Sequence, residues 1–304
     1  AYAKALVEAA GRRPDLVVLD ADLAADCRVR EFELAYPDRF IENGIAEQDM
    51  VSMAGGLARQ GLLPVVNSFA NFLVSRANEQ IYNNASEGTK IIYASHYAGV
   101  IPAGPGKSHQ SVRDISLLGA LPNMIVIQPA DPEETRQTLA YAVDVAEQNV
   151  TIRLIIGPSP RPIPLPDGYR LTFGRGVPLT EGTDALLFAY GPVMLAEALT
   201  ASEILAEKGF GLTVVDMPWL NRVDVDWLMR TVSGYRRVFV LEDHAPVGGL
   251  GDFLTKTLAS EGGLEGRRLM QAAVRGYPAF GTPPEALRHH GLDASSLAGW
   301  ILSK

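Results

Sequence analysis

Glu47 is the residue of this sequence best placed to do chemistry. It stands in Phe40-Ile41-Glu42-Asn43-Gly44-Ile45-Ala46-Glu47-Gln48, where a short extended piece runs into a helix. Apolar Met50, Met53, Ala54 and Leu57 recur at helical spacing and Gly61 supplies a stop, so the helix reads as Ala46 to Gln60 with Glu47 in its first turn. A helix start favours an acidic residue on its own account. A carboxyl shielded from water can also share a proton with a heterocycle. Phe69 and Phe72 follow a strand end, three residues apart, a spacing that puts both rings on one helix face. Such rings serve ordinary core packing, or stack on a planar ligand. His96 closes a predicted strand, and His109 opens a predicted helix after the Gly- and Pro-rich run from Tyr97 to Ser108. The pair offers two imidazoles as donors, acceptors or proton carriers, although a structural role is the commoner fate of either alone.

Short β-rich runs alternate with helical patterns along the whole chain, the signature of an α/β protein with parallel sheets flanked by helices. Strands are expected at Leu16 to Leu19, Leu62 to Asn67, Lys90 to Ser95, Met124 to Gln128 and Thr151 to Ile156. Ligands of open parallel sheets sit at the carboxyl ends of strands, so Asp22, Asn67-Ser68 and Ser95-His96 should face one crevice. The run from Pro158 to Gly168 holds five prolines and reads as a semi-rigid linker. The expected organisation is therefore a first domain over 1–157, a linker over 158–174 and a second, smaller α/β domain over 175–304. Its strands are expected at Ala185 to Ala189, Leu212 to Asp216, Arg237 to Leu241 and Leu269 to Val274. No internal repeat occurs.

With 304 residues and 47% hydrophobic content, the chain can bury two sizeable cores. Its net charge of -8 is spread over both signs, which argues against nucleic acid and against an anionic membrane surface. Cys27 is the single cysteine, which excludes an intrachain disulfide and suits a reducing compartment, the cytoplasm by default. The most apolar stretch, Ala185 to Ala201, is broken by Gly191-Pro192 and contains Glu197, so no membrane span is expected. The run Gly104-Pro105-Gly106-Lys107-Ser108 lacks the spacing of a phosphate loop, and neither a dinucleotide fingerprint nor a nucleophile elbow is present.

The ordered set of Phe40 to Gln48, Phe69-Ala70-Asn71-Phe72, Ser108-His109-Gln110, Leu121-Pro122-Asn123-Met124 and Gln128-Pro129-Ala130-Asp131 resembles the pyrimidine-binding half of transketolases. Val214-Val215-Asp216-Met217 and Leu241-Glu242-Asp243-His244 through Gly248-Gly249-Leu250-Gly251 resemble that family's C-terminal domain. The likeness covers nearly the whole chain. It implies thiamine diphosphate as cofactor, with Glu47 bonding a ring nitrogen of the aminopyrimidine and favouring the imino tautomer that generates the nucleophilic ylid. Phe72 would stack on that ring and Phe69 would line the same pocket. His96 and His109 would contact substrate oxygens and assist proton transfer, and Asp22 would stand near the cofactor. The family's Gly-Asp-Gly…Asn motif for Mg²⁺ and diphosphate does not occur here. The resemblance thus implies a split enzyme, in which a second subunit supplies the diphosphate and Mg²⁺ ligands and the site forms at the seam of an α2β2 heterotetramer.

Departures from the family pattern bear on the substrate. Pro105 stands where transketolases carry an aspartate four residues before the second histidine, and the arginine and serine of their sugar-phosphate clamp fall at about Gly157 and Asp26. An aspartate repels phosphate, so at least one substrate is expected to differ from a standard sugar phosphate unless Arg153 or Arg161 compensates. An acceptor on a carrier or a lipoyl-type group is one such case. Three rival readings carry over. A 2-oxoacid dehydrogenase β subunit shares fold, cofactor and the Glu, but the Lys107-Ser108-His109-Gln110 run followed by Leu121-Pro122-Asn123 is closer to the transketolase arrangement. A 1-deoxyxylulose-phosphate synthase-like activity is opposed by Ser75, which stands where those enzymes have arginine. A non-catalytic stabilising subunit would have no use for Glu47 and both phenylalanines.

Overall fold

The computed structural model describes all of residues 1–304. Helix α1 (Tyr2–Arg12) buries Tyr2, Leu6 and Ala9 and delivers the chain to β1 (Leu16–Asp20), every residue of which is buried. Next come α2 (Arg30–Ala35), β2 (Phe40–Glu42) and α3 (Glu47–Arg59), which starts at Glu47 and is stopped by Gly61 at φ +87°. The chain continues through β3 (Leu63–Phe69), α4 (Ala70–Arg76), α5 (Asn78–Ser86), β4 (Ile92–His96), α6 (Asp114–Gly119) and β5 (Met124–Ile127). Helix α7 (Pro132–Ala140) opens with Asp131 accepting from the Glu134 backbone N–H at 2.7 Å, and β6 (Asn149–Leu154) closes the first sheet. Its order is β2-β1-β3-β4-β6-β5 and every pairing is parallel. Strands buried on both faces need apolar residues at every position, which is why these runs show little alternation in the sequence.

Residues 158–176 form no helix or strand. The segment lies along α7, where Gln137 Nε2 donates to the Tyr169 carbonyl at 3.0 Å and the Tyr169 hydroxyl donates to Glu134. A second sheet follows, built from β7 (Val177–Pro178), β8 (Ala185–Ala189), β9 (Leu212–Asp216), β10 (Arg237–Leu241) and β11 (Arg268–Ala272) in the order β11-β10-β8-β9-β7. It is parallel except for β7, which pairs antiparallel with β9. Around it pack α8 (Gly191–Ala206), α9 (Val225–Val232), α10 (Leu250–Ser260), α11 (Pro283–His290) and α12 (Ala294–Leu302). No helix is long and apolar enough to cross a membrane.

The two sheets are joined rather than tethered. The open edge of β5 is closed by residues 218–221: Gln128 N donates to the Pro218 carbonyl and Leu220 N to the Val126 carbonyl, both at 2.9 Å. Trp219, fully buried, stands edge-on to Tyr141 and Phe173 at 5.0 Å from each. Deeper in the seam, Arg153 on β6 has no exposed surface. Its Nε donates to Asp114 Oδ2 at 2.6 Å, Nη2 to Asp114 Oδ1 at 3.3 Å, and Nη1 to Asp243 Oδ1 at 3.1 Å and to Gln128. Tyr190, at the end of β8, donates to the same Asp243 oxygen at 3.1 Å. Arg153 is therefore spent inside the protein. It is not available as a substitute phosphate clamp, and Arg161 bonds Glu203 at 2.9 Å on the surface.

The helix expected to open at His109 does not form, because the backbone groups on either side of it are taken elsewhere. Gly99 and Ser111 exchange two backbone hydrogen bonds of 2.9 Å, closing the run between them into a loop, and α6 starts only at Asp114. Phe69 is likewise not helical. It ends β3 and precedes α4, so it meets Phe72 around a strand-to-helix corner.

Removing one partner of a buried, fully bonded ion pair leaves the other charge stranded, at a cost of about 3–5 kcal/mol. Asp243→Ala should therefore lower the stability of the whole chain against urea by that order, whereas Arg161→Ala, at the surface pair, should leave it nearly unchanged.

Candidate functional site

The carboxyl ends of β1, β3 and β4 lie side by side, with Asp20 opposite Asn67 and Phe69 opposite His96. Around them the structure assembles two adjoining groups of side chains. In the first, Glu47, in the opening turn of α3, is only 3% exposed. Its Oε1 accepts from Arg76 Nη1 at 2.7 Å, and Oε2 has no hydrogen-bond partner. The Arg76 guanidinium lies 4.2 Å from the centre of the Phe72 ring, so one side chain ties the acid to the aromatic wall. Phe72 stands 5.4 Å from Phe69 and 5.0 Å from His109, and Tyr97 adds a third wall 5.4 Å from Phe69. His109 is held through its loop: Asn71 Nδ2 donates to the Ser108 carbonyl at 2.7 Å, and Ser108 Oγ lies 2.9 Å from His109 Nδ1.

The second group surrounds His96. Tyr2 hydroxyl donates to Asn67 Oδ1 at 2.7 Å, and His96 Nε2 lies 3.3 Å from the same oxygen. Asn67 Nδ2 faces the carbonyls of Val65 and Leu19 at 3.2 and 3.4 Å, which can only accept. Burial pushes the His96 pKa down to about 3, so the ring is neutral. It lines a cavity of about 540 Å³ together with Asp26, Arg28, Glu31, Asp131 and Gly157.

The predicted residues divide as follows. Glu47, Phe69, Phe72 and His109 come together, and His96 lies beside Phe69 on the next strand. Asp22 does not join them: it is exposed on the turn after β1, at φ +59°, its N–H donating to Glu42 Oε1 at 2.9 Å. The buried acid of that turn is Asp20, whose Oδ2 accepts from Leu23 N at 2.6 Å while Oδ1 has no partner. Burial raises its pKa to about 7. The two supposed clamp positions, Asp26 and Gly157, do share one cavity. Gly157 has φ +107°, a backbone region that disfavours an arginine side chain there.

Arg76 was missed. It lies four residues beyond Phe72 on one helix, so the i,i+4 spacing would have found it. It also corrects the argument from Ser75: an arginine does stand on the Phe72 helix, one residue further along. Tyr2 was missed for a different reason, since its contact with residue 67 has no local signal.

A family model for the pyrimidine-binding domain of transketolase matches residues 1–155, and one for the transketolase C-terminal domain matches residues 174–297. The chain belongs to the transketolase family. It is 32% identical over 309 residues to the "Putative transketolase C-terminal section" of Methanocaldococcus jannaschii, covering 100% of this chain and 94% of that one. It is 32% identical over 294 residues to one of the subunits of the apulose-4-phosphate transketolase of Actinobacillus succinogenes, covering 95% and 92%. Among solved structures, a "Split gene transketolase, inactive beta4 tetramer" superposes with a TM-score of 0.88 at 34% identity, over 99% of this chain and 96% of the other. The chain spans only 48% of the 1-deoxy-D-xylulose-5-phosphate synthase of Thermomicrobium roseum, to which it is 30% identical. This transketolase-family chain thus matches the subunit-sized relatives end to end and the synthase over about half its length.

Asp20 gives a pH prediction. Its folded pKa of about 7 lies above the ordinary carboxyl value, so its contribution to stability is full below about pH 4 and lost as pH rises through 7. Asp20→Asn should flatten the fall in unfolding free energy, read from urea titrations between pH 4 and pH 7, by up to about 1.4 kcal/mol per pH unit.

Proposed function

We propose that this chain is the pyrimidine-binding and C-terminal subunit of a split thiamine-diphosphate enzyme that transfers a two-carbon ketol unit. The observation that carries the reading is Glu47: a carboxyl buried at a helix start, with one oxygen on Arg76, the other without a partner, and an aromatic wall beside it. That arrangement fits an aminopyrimidine. The free Oε2 is the atom to bond a ring nitrogen, and Phe72 and Phe69 supply apolar surface for a planar ring. When bound, thiamine diphosphate supplies the nucleophilic carbon that takes up the two-carbon unit of a ketose.

The rest of the work falls to the chain's own groups. Glu47 holds or releases a proton at the ring nitrogen, and Arg76 keeps its carboxyl oriented. His109, in a loop anchored by Asn71, is placed to exchange protons with substrate oxygens, and His96 contacts substrate from the next strand. Phe69, Phe72 and Tyr97 exclude water around them.

A second subunit is part of the reading. The chain matches subunit-sized relatives end to end, and the Mg²⁺ and diphosphate ligands are assigned to the partner. Ile45, Met53 and Tyr82 are 74%, 38% and 59% exposed on the turn before α3, on α3 and on neighbouring α5, apolar surface next to Glu47 that a partner would cover. An α2β2 assembly is part of the same reading. The acceptor is proposed to differ from a standard sugar phosphate, because Asp26 and Gly157 replace the clamp. A second reading, synthase-like chemistry of the 1-deoxyxylulose-phosphate type, gains support from Arg76 and from the synthase relatives.

The test is Glu47→Gln in the assembled two-subunit enzyme. Consumption of a ketose donor with release of the shortened aldose should fall by about 10²–10⁴-fold, with assembly intact by sedimentation. Unchanged turnover would sink the assignment, and turnover of pyruvate in place of the ketose would select the synthase-like or dehydrogenase reading.

A further inference from the structure

The amide of Asn67 fixes more than its own position. Its Nδ2 faces two backbone carbonyls, those of Val65 and Leu19, and a carbonyl only accepts, so the amide cannot be turned over. Oδ1 must therefore face Tyr2 and His96, and an oxygen with two partners has to receive a proton from each. Tyr2 donates from its hydroxyl at 2.7 Å; His96 must donate from Nε2 at 3.3 Å. A neutral imidazole carries one ring proton, so Nδ1 is left as a bare acceptor. It has no protein partner, and the side chain, 4% exposed, lines the 540 Å³ cavity.

The other polar side chains of that cavity point the same way in chemical terms. Asp26 and Glu31 line it as acceptors, Asp131 lines it while capping α7, and Arg28 is the one cationic side chain among them. The hydroxyls of Thr135 and Ser159, which also line it, donate to the Asp131 and Arg161 carbonyls, so free acceptors outnumber free donors among the side chains. A phosphate or carboxylate brings only acceptor oxygens and negative charge, which this lining opposes; a hydroxyl or ammonium brings the proton that Nδ1 and the carboxylates lack.

We propose that the cavity beside His96 binds the hydrogen-bond-donating end of a substrate, a polyhydroxy or amino-bearing aldose without a phosphate there, and that Asn67 is the positioning residue that fixes the acceptor tautomer of His96. This deepens the proposed two-carbon transfer by naming the substrate class, and rests on that reading for the word substrate alone.

The test reads binding, not turnover. With the histidine rings ¹⁵N-labelled in the two-subunit complex, and His96→Gln used for assignment, the His96 proton should sit on Nε2 throughout pH 5 to 8. Tyr2→Phe should keep that tautomer, since Asn67 Oδ1 still accepts. Asn67→Ser, whose hydroxyl both donates and accepts, should let Nδ1–H appear. A wild-type ring protonated at Nδ1, or charged at neutral pH, would overturn the proposal. Titration with D-ribose and D-glucosamine should move the Nδ1 resonance at concentrations at least about tenfold lower than D-ribose 5-phosphate requires, and Asp26→Ser should narrow that gap. Tighter or equal binding of the phosphorylated sugar to the wild-type complex would also overturn it. Because no step of this experiment depends on ketose consumption, a failure here and a failure of the Glu47→Gln test are told apart.

Discussion

The buried guanidinium of Arg153 is the interaction on which the rest of the site depends. It has no solvent to fall back on, so its charge is supported by Asp114, Asp243 and Gln128, with the Tyr190 ring 5.6 Å away. Those three partners belong to different parts of the fold: Asp114 opens α6, Gln128 follows β5, and Asp243 follows β10. The loop that carries His109 is gripped at both ends by this network. At one end Gly99 packs so closely on Asp243 that a Cβ there would fall 1.8 Å from Oδ2, which, with φ +81°, leaves room only for glycine. At the other end Asp114 takes two bonds from Arg153. A charge buried for joining two sheets thereby also sets where an imidazole stands. Burial of such a network contributes little net stability, while losing any one member strands the rest, so its value lies in geometry.

Electrostatics at the front of the site follow a contrasting rule. Glu47 is nearly as buried as Asp114, yet its counter-ion Arg76 is 47% exposed along its side chain, with its flat face on Phe72. A guanidinium so placed can hold the carboxyl from the solvent side and still be displaced without opening the core. The acid is thus kept inside while one oxygen remains available. His96 shows the third solution: it is buried without a charge, its proton committed to an amide that is itself committed to two carbonyls.

The sequence disclosed the architecture because parallel strands buried on both faces leave uninterrupted apolar runs. Leu16 to Leu19 and Ala185 to Ala189 were recognisable for that reason, and β2 and β7, short and half-exposed or antiparallel, were harder to see or missed. Glu47 was legible from the periodicity of α3, and Phe72 from its neighbours. His109 was found as a residue but given the wrong setting, since the Gly99–Ser111 pairing that forms its loop is a contact between backbone groups and leaves no side-chain pattern. The outward setting of Asp22 was hidden for a related cause: a turn at positive φ directs one acid outward and leaves Asp20 inside, and two aspartates separated by one residue look alike in one dimension. Arg153 was considered as a substitute phosphate clamp because nothing local announces that Asp114 and Asp243 meet it.

The two histidines need not do the same work. His96 is enclosed, neutral and limited to accepting through Nδ1, so across the physiological range it can orient a substrate hydroxyl but cannot supply a proton from a charged ring. His109 is half-buried at the edge of an aromatic cluster, with its Nδ1 beside the Ser108 hydroxyl, and no amide fixes its tautomer. A ring that is free to change tautomer can relay a proton between two oxygens, which a ring of fixed tautomer cannot. Of the two rings, the one on the loop held by Arg153 has no amide to fix its tautomer, and the one on the strand end held by Asn67 does. The fold places one imidazole at a strand end and the other on a loop that is fastened at both ends and again beside the ring, where Asn71 holds the Ser108 carbonyl.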